Sequence, residues 1–253
     1  MGLIFDWIDK VRRYTKFSPK ELQAGIVTIF VIAFTISFRK WGIGQEIDVS
    51  YGMINLFAAI LIVGISFFGR IAFQKSMALA ADLKSEYKMW SFGLLLGLVL
   101  AFVTNGKLWF LIPGGIMIHY LPGHRIGWVR YGLNYFGIGV ISFFGPVASI
   151  IFAMIFRTLY GIFHIELFYT AFLLNLLWAL WTLLPIPPSD GSKMFFGSRP
   201  TYMLGIAIVI SSAILLYSDI SILITIPLSF LIGFIWWLIY YVVWERFIWK
   251  GPF

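Results

Sequence analysis

The residues best suited to chemistry follow an apolar helix that prolines interrupt. The helix carries Asn175, and directly after it comes the run Leu184-Pro185-Ile186-Pro187-Pro188-Ser189-Asp190-Gly191. Proline lacks a backbone donor and ends a helix, so the break leaves room for the Asp190 carboxylate beside an apolar segment. Such a carboxylate is costly and, if the segment crosses a bilayer, tends to be functional. The alternative is structural: Ser189-Asp190-Gly191 is a loop that caps the next short helix.

The histidines offer a second candidate site. His119 and His124 flank Tyr120-Leu121-Pro122-Gly123, which is a turn-rich segment. Together with Asp190 they supply two imidazoles and a carboxylate, all of which are ligands that zinc accepts. The alternative is that these turn histidines are simply solvated. His164 lies in a predicted external loop without an evident chemical role, and cysteine is absent from the chain, which excludes disulfides.

The composition indicates a membrane protein. Hydrophobic residues make up 60% of the chain and charged residues only 12%, against about 25% charged residues in an average soluble domain. A bilayer-spanning helix needs about 20 mostly apolar residues. Six segments meet this description: 22–38, 53–73, 133–156, 167–184, 201–217 and 221–244. We therefore expect an all-α polytopic membrane protein with about six to eight membrane segments, in a single transmembrane domain over 21–253.

Two further apolar pieces, 91–104 and 108–121, are too short to span a bilayer comfortably. They are joined by the turn Thr104-Asn105-Gly106-Lys107, and the second piece contains Pro113-Gly114-Gly115. We interpret the pair as a short hairpin that dips into the membrane. Irregular backbone is tolerated at that depth only where protein covers it or where it lines a cavity.

The distribution of basic residues predicts the orientation. The net charge is +8, and the 19 Lys and Arg are dispersed over short loops, which argues against nucleic-acid binding. The segment 1–20 is amphipathic, and we expect 3–16 to be a helix on the membrane surface. If the N-terminus is inside, only four basic residues lie outside or at the hairpin tip: Arg39, Lys40, Lys107 and Arg157. The positive-inside rule then predicts a multi-pass cell-membrane protein with both termini in the cytoplasm, in contact with membrane lipid.

In three sequence motifs the chain resembles the site-2 protease family of intramembrane zinc metalloproteases. Leu184 to Gly191 reproduces the family's Leu-Pro-x-x-Pro-x-Asp-Gly run, and Gly145-Pro146 matches a Gly-Pro pair at the start of an apolar helix. A third mark, from a microbial branch, consists of Glu86-Tyr87-Lys88-Met89-Trp90, Gly93-Leu94-Leu95-Leu96 and Pro113-Gly114-Gly115. The marks follow the family's order and cover about residues 53–200. The resemblance implies a site-2-protease-like core and a prokaryotic membrane.

The chain departs from the family at the zinc motif, His-Glu-x-x-His. In that motif two His at i and i+4 bind zinc from one helical face, and the Glu activates the bound water. The resemblance aligns Arg70, Ile71 and Gln74 with these positions. Arginine has no lone pair to offer a metal, and isoleucine cannot act as a base. Only Asp190 remains of the three protein ligands that a catalytic zinc requires, so we expect no zinc and no catalytic residue.

Two interpretations of Arg70 remain open. In the first, its guanidinium pairs with Asp190 in place of the metal. In the second, its side chain extends to the cytoplasmic headgroups, as cations at helix ends often do. The resemblance also aligns Thr182 with an Asn that contacts substrate in some members, so this position has changed too.

The resemblance implies a membrane cavity that admits one transmembrane helix. Without zinc, we expect this scaffold to bind transmembrane helices or a membrane-protein partner, as an adaptor, chaperone or assembly factor. Positions that the family retains are Asp190, Gly191, Asn175, Gly145 and Pro146. One alternative is an active intramembrane metalloprotease with an atypical site of His119, His124 and Asp190. Another is a small-solute transporter or channel, although the inverted repeats of many transporters are not evident.

Overall fold

The structure, a computed structural model, describes residues 2–42, 48–120, 134–218, 220 and 222–248. The chain forms two compact units, one ending at residue 133 and the other beginning at residue 134. The elements of the first unit are α1 Gly2–Tyr14, α2 Pro19–Ser37, α3 Val49–Ala80, β1 Leu83–Met89, α4 Ser91–Val103 and β2 Gly114–Tyr120. Those of the second are α5 Tyr135–Phe163, α6 Glu166–Leu183, α7 Asp190–Gly197, α8 Arg199–Tyr217 and α9 Ile222–Ile239, which continues as a π-helix over Tyr240–Ile248.

The chain is an all-α polytopic membrane protein, as the composition predicts. Among the described residues, six helices are long and apolar enough to cross a membrane. They are Pro19–Ser37, Val49–Ala80, Tyr135–Phe163, Glu166–Leu183, Arg199–Tyr217 and Ile224–Trp244. Each overlaps one of the six predicted segments.

The second span, α3, is much longer than the predicted segment 53–73. It has 32 residues, which corresponds to about 48 Å at 1.5 Å per residue, whereas the hydrocarbon core is about 30 Å thick. Arg70 near the end of the predicted segment and Gln74 and Lys75 directly after it interrupt the apolar sequence, so hydropathy ends the predicted segment at residue 73. All three are buried, so the helix continues through them without exposing its polar groups.

The predicted turn at Thr104-Asn105-Gly106-Lys107 is confirmed, and it ends α4. The backbone N–H of Gly106 donates to Ala101 O at 2.7 Å, and that of Asn105 donates to Phe102 O at 3.2 Å. This pair of bonds is a Schellman motif, which satisfies carbonyls at a helix end. Asn105 and Gly106 have φ angles of 51° and 68°, which explains why an Asn and a Gly stand here.

The second arm of the predicted hairpin is extended rather than helical. Two helix positions without side chains let it lie against α4: a Cβ added at Gly93 would be 2.4 Å from Ile112 O, and one at Gly97 would be 3.0 Å from Phe110 O. Pro113-Gly114-Gly115 disfavours a helix, and the chain continues from there as β2. The expectation that this hairpin dips into the membrane stays a prediction.

Strands β1 and β2 form an antiparallel ribbon with one buried and one outer face. Directly opposed residues share a face, and Tyr87 lies opposite Ile116 on the buried one. The outer face carries charge, with Lys84 opposite His119. Gly114, at the start of β2, has a φ of 154°, and an added Cβ would lie 2.3 Å from Lys88 O.

The second unit brings the short helix α7 against α5 by close backbone contact. A Cβ added at Gly197 would lie 2.5 Å from Tyr135 O and 3.2 Å from the Cα of Gly139. Glycine at these positions therefore lets the two helices touch. Pro146 lies inside α5, where neighbouring helices make a proline tolerable in a membrane span.

Candidate functional site

The three positions that the resemblance aligns with the zinc motif lie on one buried face of α3. Arg70, Ile71 and Gln74 are 4%, 3% and 1% exposed, and Arg70 and Gln74 are four residues apart, so they are neighbours on the helix surface. In the alignment that the resemblance implies, a guanidinium, an alkyl group and a neutral amide stand where the motif has two imidazoles and a carboxylate. The burial of Arg70 disagrees with the interpretation in which its side chain extends to the headgroups.

Asp190 is the first residue of α7 and is 2% exposed. The preceding Ser189 is the N-cap: its Oγ accepts the backbone N–H of Ser192 at 3.2 Å, and it donates to Leu184 O at 2.6 Å. Lys193 Nζ donates to Pro188 O at 2.9 Å, which further secures the turn. Capping of the next helix is therefore confirmed for Ser189, whereas Asp190 and Gly191 are the first two residues of α7 rather than part of a loop.

Gly191 stands where α7 begins against the end of α6. A Cβ added there would lie 2.1 Å from Leu183 O and 2.3 Å from its carbonyl carbon. No side chain fits that space, so the glycine that the resemblance singles out has a packing reason in this structure.

The other family-matched positions of the second unit are also buried. Asn175 is 1% exposed, and its Nδ2 donates to Ala171 O at 2.8 Å within α6. Gly145 and Pro146 are buried in α5. Thr182, which the resemblance aligns with an Asn of some members, is 1% exposed and donates to Trp178 O at 2.8 Å.

The alternative metal site of His119, His124 and Asp190 stays a prediction. His119 lies on the exposed face of β2 in the first unit, Asp190 lies in the second unit, and His124 lies outside the described residues. Within the described ranges, no group of three or more His, Cys, Asp or Glu side chains could hold a metal ion. The donor set in this part of the chain therefore does not fit a zinc ion.

A buried ion pair in the first unit was not predicted from the sequence. Glu21 and Lys75 are 4% and 3% exposed, and Lys75 Nζ lies 2.8 Å from Glu21 Oε1 and 2.9 Å from Oε2. The same carboxylate accepts the backbone N–H of Tyr87 at 2.7 Å and that of Ser18 at 2.8 Å. The pair thus joins α2, α3 and β1. Ser18-Pro19-Lys20-Glu21 matches the capping-box pattern, which is the signal that could have identified Glu21.

Tyr87 extends this polar cluster from the ribbon to the hairpin. Its hydroxyl donates to Pro113 O at 3.1 Å and lies 3.0 Å from the Thr28 hydroxyl. Its ring packs edge-on against Phe67 at 4.9 Å between centroids. On the other side of the cluster, Lys75 Nζ lies 4.3 Å from the ring centroid of Phe17, which is a cation–π distance. The buried groups of this cluster are therefore paired across α2, α3, β1 and the segment that precedes β2.

The outer face of the ribbon carries a partly exposed ion pair. Lys84 Nζ lies 2.7 Å from Glu86 Oε1, and this hydrogen bond lowers the pKa of Glu86 below its usual value of 4.5. A lowered carboxyl pKa stabilises the fold above the unfolded pKa, and that contribution is lost as the pH falls through the folded pKa. Both side chains are 37% exposed, so solvent keeps the contribution small.

Comparison with known proteins gives one distant similarity. No family model matches the chain, and no solved structure matches it. A protein of Methanocaldococcus jannaschii named "Putative zinc metalloprotease" is 27% identical over 188 residues, which is 71% of this chain and 85% of the relative. This similarity, together with the six apolar helices, indicates that the chain is a membrane protein that is metalloprotease-like in kind.

Proposed function

We propose that the chain is a catalytically inactive, site-2-protease-like membrane protein that binds transmembrane helices or another membrane protein. The observation that carries the proposal is the buried face of α3 with Arg70, Ile71 and Gln74, which are the residues that the resemblance aligns with the zinc motif. None of these side chains can ligate zinc as that motif does, and none can act as a general base. The chain therefore lacks the motif with which the family binds zinc and hydrolyses peptides.

Polar groups retained inside the spans support a binding role. Buried hydroxyl and amide side chains lie on α3, α5 and α6: Ser66, Gln74, Ser142, Ser149, Asn175 and Thr182. Polar residues in membrane spans are used for hydrogen bonds between helices or for functional sites. Polar side chains inside the spans of each unit, without the metal ligands of the motif, suit a scaffold that holds a helix rather than cleaves it.

Measurement of the zinc content is the first test of this proposal. Protein purified without chelator is expected to contain well under one zinc per chain by elemental analysis. The variant Arg70→His/Ile71→Glu/Gln74→His restores the motif and is the matched control, in which zinc content should rise. Stoichiometric zinc in the unaltered chain, or hydrolysis of a transmembrane substrate by it, would favour the atypical metalloprotease and contradict the proposal.

Partner binding is the second test. The tagged chain, extracted from native membranes in mild detergent, is expected to retain a membrane protein at fixed stoichiometry. A multi-span protein with the same tag and similar abundance serves as the control for nonspecific capture. A chain that carries no partner but transports a small solute into liposomes would support the transporter alternative instead.

The orientation belongs to the same proposal. The excess of Lys and Arg on one set of loops supports cytoplasmic termini in a cell membrane. In that orientation, α1, the C-terminal end of α3 and the start of β1 lie on the cytoplasmic side. The loop between α2 and α3 lies outside.

A further inference from the structure

Helix α1 is fixed to the end of α3 by specific contacts. The indole N–H of Trp7 donates to Ser76 O at 2.8 Å, and Lys10 Nζ lies 2.6 Å from Asp82 Oδ1, just beyond α3. Lys10 also pairs with Asp6 of its own helix. These partners raise the pKa of Lys10, so the cation is held in its charged form. The helix therefore has a defined inner side, turned toward α3.

Another side of α1 is both apolar and exposed. Phe5 and Ile8 are 68% and 50% exposed, and Arg12 is also exposed. These residues are spaced i, i+3 and i+7, which places them on one stripe of the helix. Two exposed hydrophobic side chains beside an arginine are typical of a helix that lies in the plane of a membrane interface. The apolar face of such a helix is turned toward the acyl chains.

Cations follow this stripe along the chain without acidic partners. Arg12, Lys16 and Lys20 are exposed and form no ion pair with any residue that the structure describes. By contrast, the neighbouring Arg13 pairs with Asp9 at 2.9 Å. The uncompensated positive charge is thus concentrated at the end of α1 and the start of α2.

The length of α2 places these cations at the membrane surface. The span Pro19–Ser37 has 19 residues, about 28 Å at 1.5 Å per residue, which only just crosses a hydrocarbon core of about 30 Å. Lys20 is its second residue and Lys16 precedes it, so a span that crosses the core brings both residues to the level of the headgroups. Phosphate is the anion present at that level.

We propose that residues 5–20 form a binding surface for anionic phospholipid. Arg12, Lys16 and Lys20 bind the phosphate headgroups, and Phe5 and Ile8 enter the acyl region beside them. Each cation near an anionic surface contributes an affinity factor of about five. Trp7 and Lys10 attach α1 to the C-terminal end of α3. The bound lipid therefore also holds that end, which β1 follows, at a fixed depth relative to the membrane surface.

The test compares lipid binding to the full-length chain in detergent by native mass spectrometry. Phosphatidylglycerol should bind more tightly than phosphatidylcholine. The variant Arg12→Gln/Lys16→Gln should lose about 25-fold in affinity for phosphatidylglycerol, since two factors of about five multiply. The matched control is Arg39→Gln/Lys107→Gln, which removes one exposed Arg and one exposed Lys at the opposite end of α2. The control should change the affinity less than twofold.

Three results would overturn the proposal. Equal affinity of the unaltered chain for the two lipids would show that headgroup charge is not recognised. An equal loss in both variants would mean that net charge acts rather than this surface. Displacement of the lipid by millimolar inorganic phosphate would indicate a simple anion site without a role for Phe5 and Ile8. All these variants change exposed side chains, and circular dichroism checks that they remain folded.

Discussion

Replacing Glu21 by Gln is expected to lower the free energy of unfolding by about 3–5 kcal/mol, because it leaves the Lys75 ammonium buried without a counter-charge. Both side chains are at least 95% buried, and Lys75 Nζ is within 2.9 Å of both carboxylate oxygens. Equilibrium unfolding in mixed detergent micelles measures the change.

The converse change, Lys75→Met, is expected to cost less than Glu21→Gln. The carboxylate that remains still accepts two backbone N–H groups, from Ser18 and Tyr87, and hydrogen bonds to an ionised acceptor are stronger than neutral ones. The double variant Glu21→Gln/Lys75→Met should be less destabilised than the sum of the single variants, because neither buried charge is then left alone.

The exposed pair of the ribbon provides a matched control. Lys84 and Glu86 are also a Lys–Glu pair of the first unit, at 2.7 Å but 37% exposed. Lys84→Met should cost no more than about 1 kcal/mol, as is usual for surface ion pairs. Equal effects of Lys75→Met and Lys84→Met, or additive effects of the Glu21 and Lys75 changes, would contradict the assignment of a buried coupled pair.

The six spans could be predicted because long apolar runs have few other uses. The length of α3 could not, because a window that counts apolar residues ends at residue 73, directly before Gln74 and Lys75. Whether those groups are exposed or buried depends on partners that are distant in sequence, such as Glu21 54 positions away from Lys75. Hydropathy therefore predicts which segments cross the bilayer. It does not predict that a helix continues through residues whose polar side chains are buried.

The ribbon shows a signal that was present and not used. Ser85 and Tyr87 are buried between the more exposed Lys84, Glu86 and Lys88, and this alternation is typical of a strand. In the sequence, this run contributes only to the resemblance and no strand is predicted there. Its pairing register, which sets His119 opposite Lys84, depends on a partner strand beyond α4 and could not be predicted from local pattern.

The resemblance singled out Asp190 and Gly191 together, but the structure separates their roles. Gly191 is explained by the backbone of Leu183, which occupies the space of a side chain. Asp190 is buried at the start of α7, and packing alone does not call for a carboxylate there. The close approach of two backbones depends on tertiary structure. The sequence could therefore single out Gly191 but could not show why a glycine is needed there.

Replacing Gly191 by Ala is expected to destabilise the second unit by more than about 3 kcal/mol, at or beyond the upper end of ordinary overpacking. The added Cβ would lie 2.1 Å from Leu183 O, and the obstacle is backbone, which cannot rotate aside as a side chain can. To make room, α7 must move from the end of α6, and this would strain the 2.6 Å bond from Ser189 Oγ to Leu184 O. Unfolding in mixed micelles measures the loss.

The second unit contains matched glycines for this experiment. Gly137 and Gly161 lie in α5 with nothing within 4 Å of an added Cβ, so Gly137→Ala and Gly161→Ala should be neutral or stabilise by up to about 1 kcal/mol through helix propensity. The same methyl group is thus predicted to have opposite effects within one unit. If Gly191→Ala behaved like these controls, α7 would not press against α6 as described, and the Asp-Gly pair would have to be explained by chemistry at Asp190 rather than by packing.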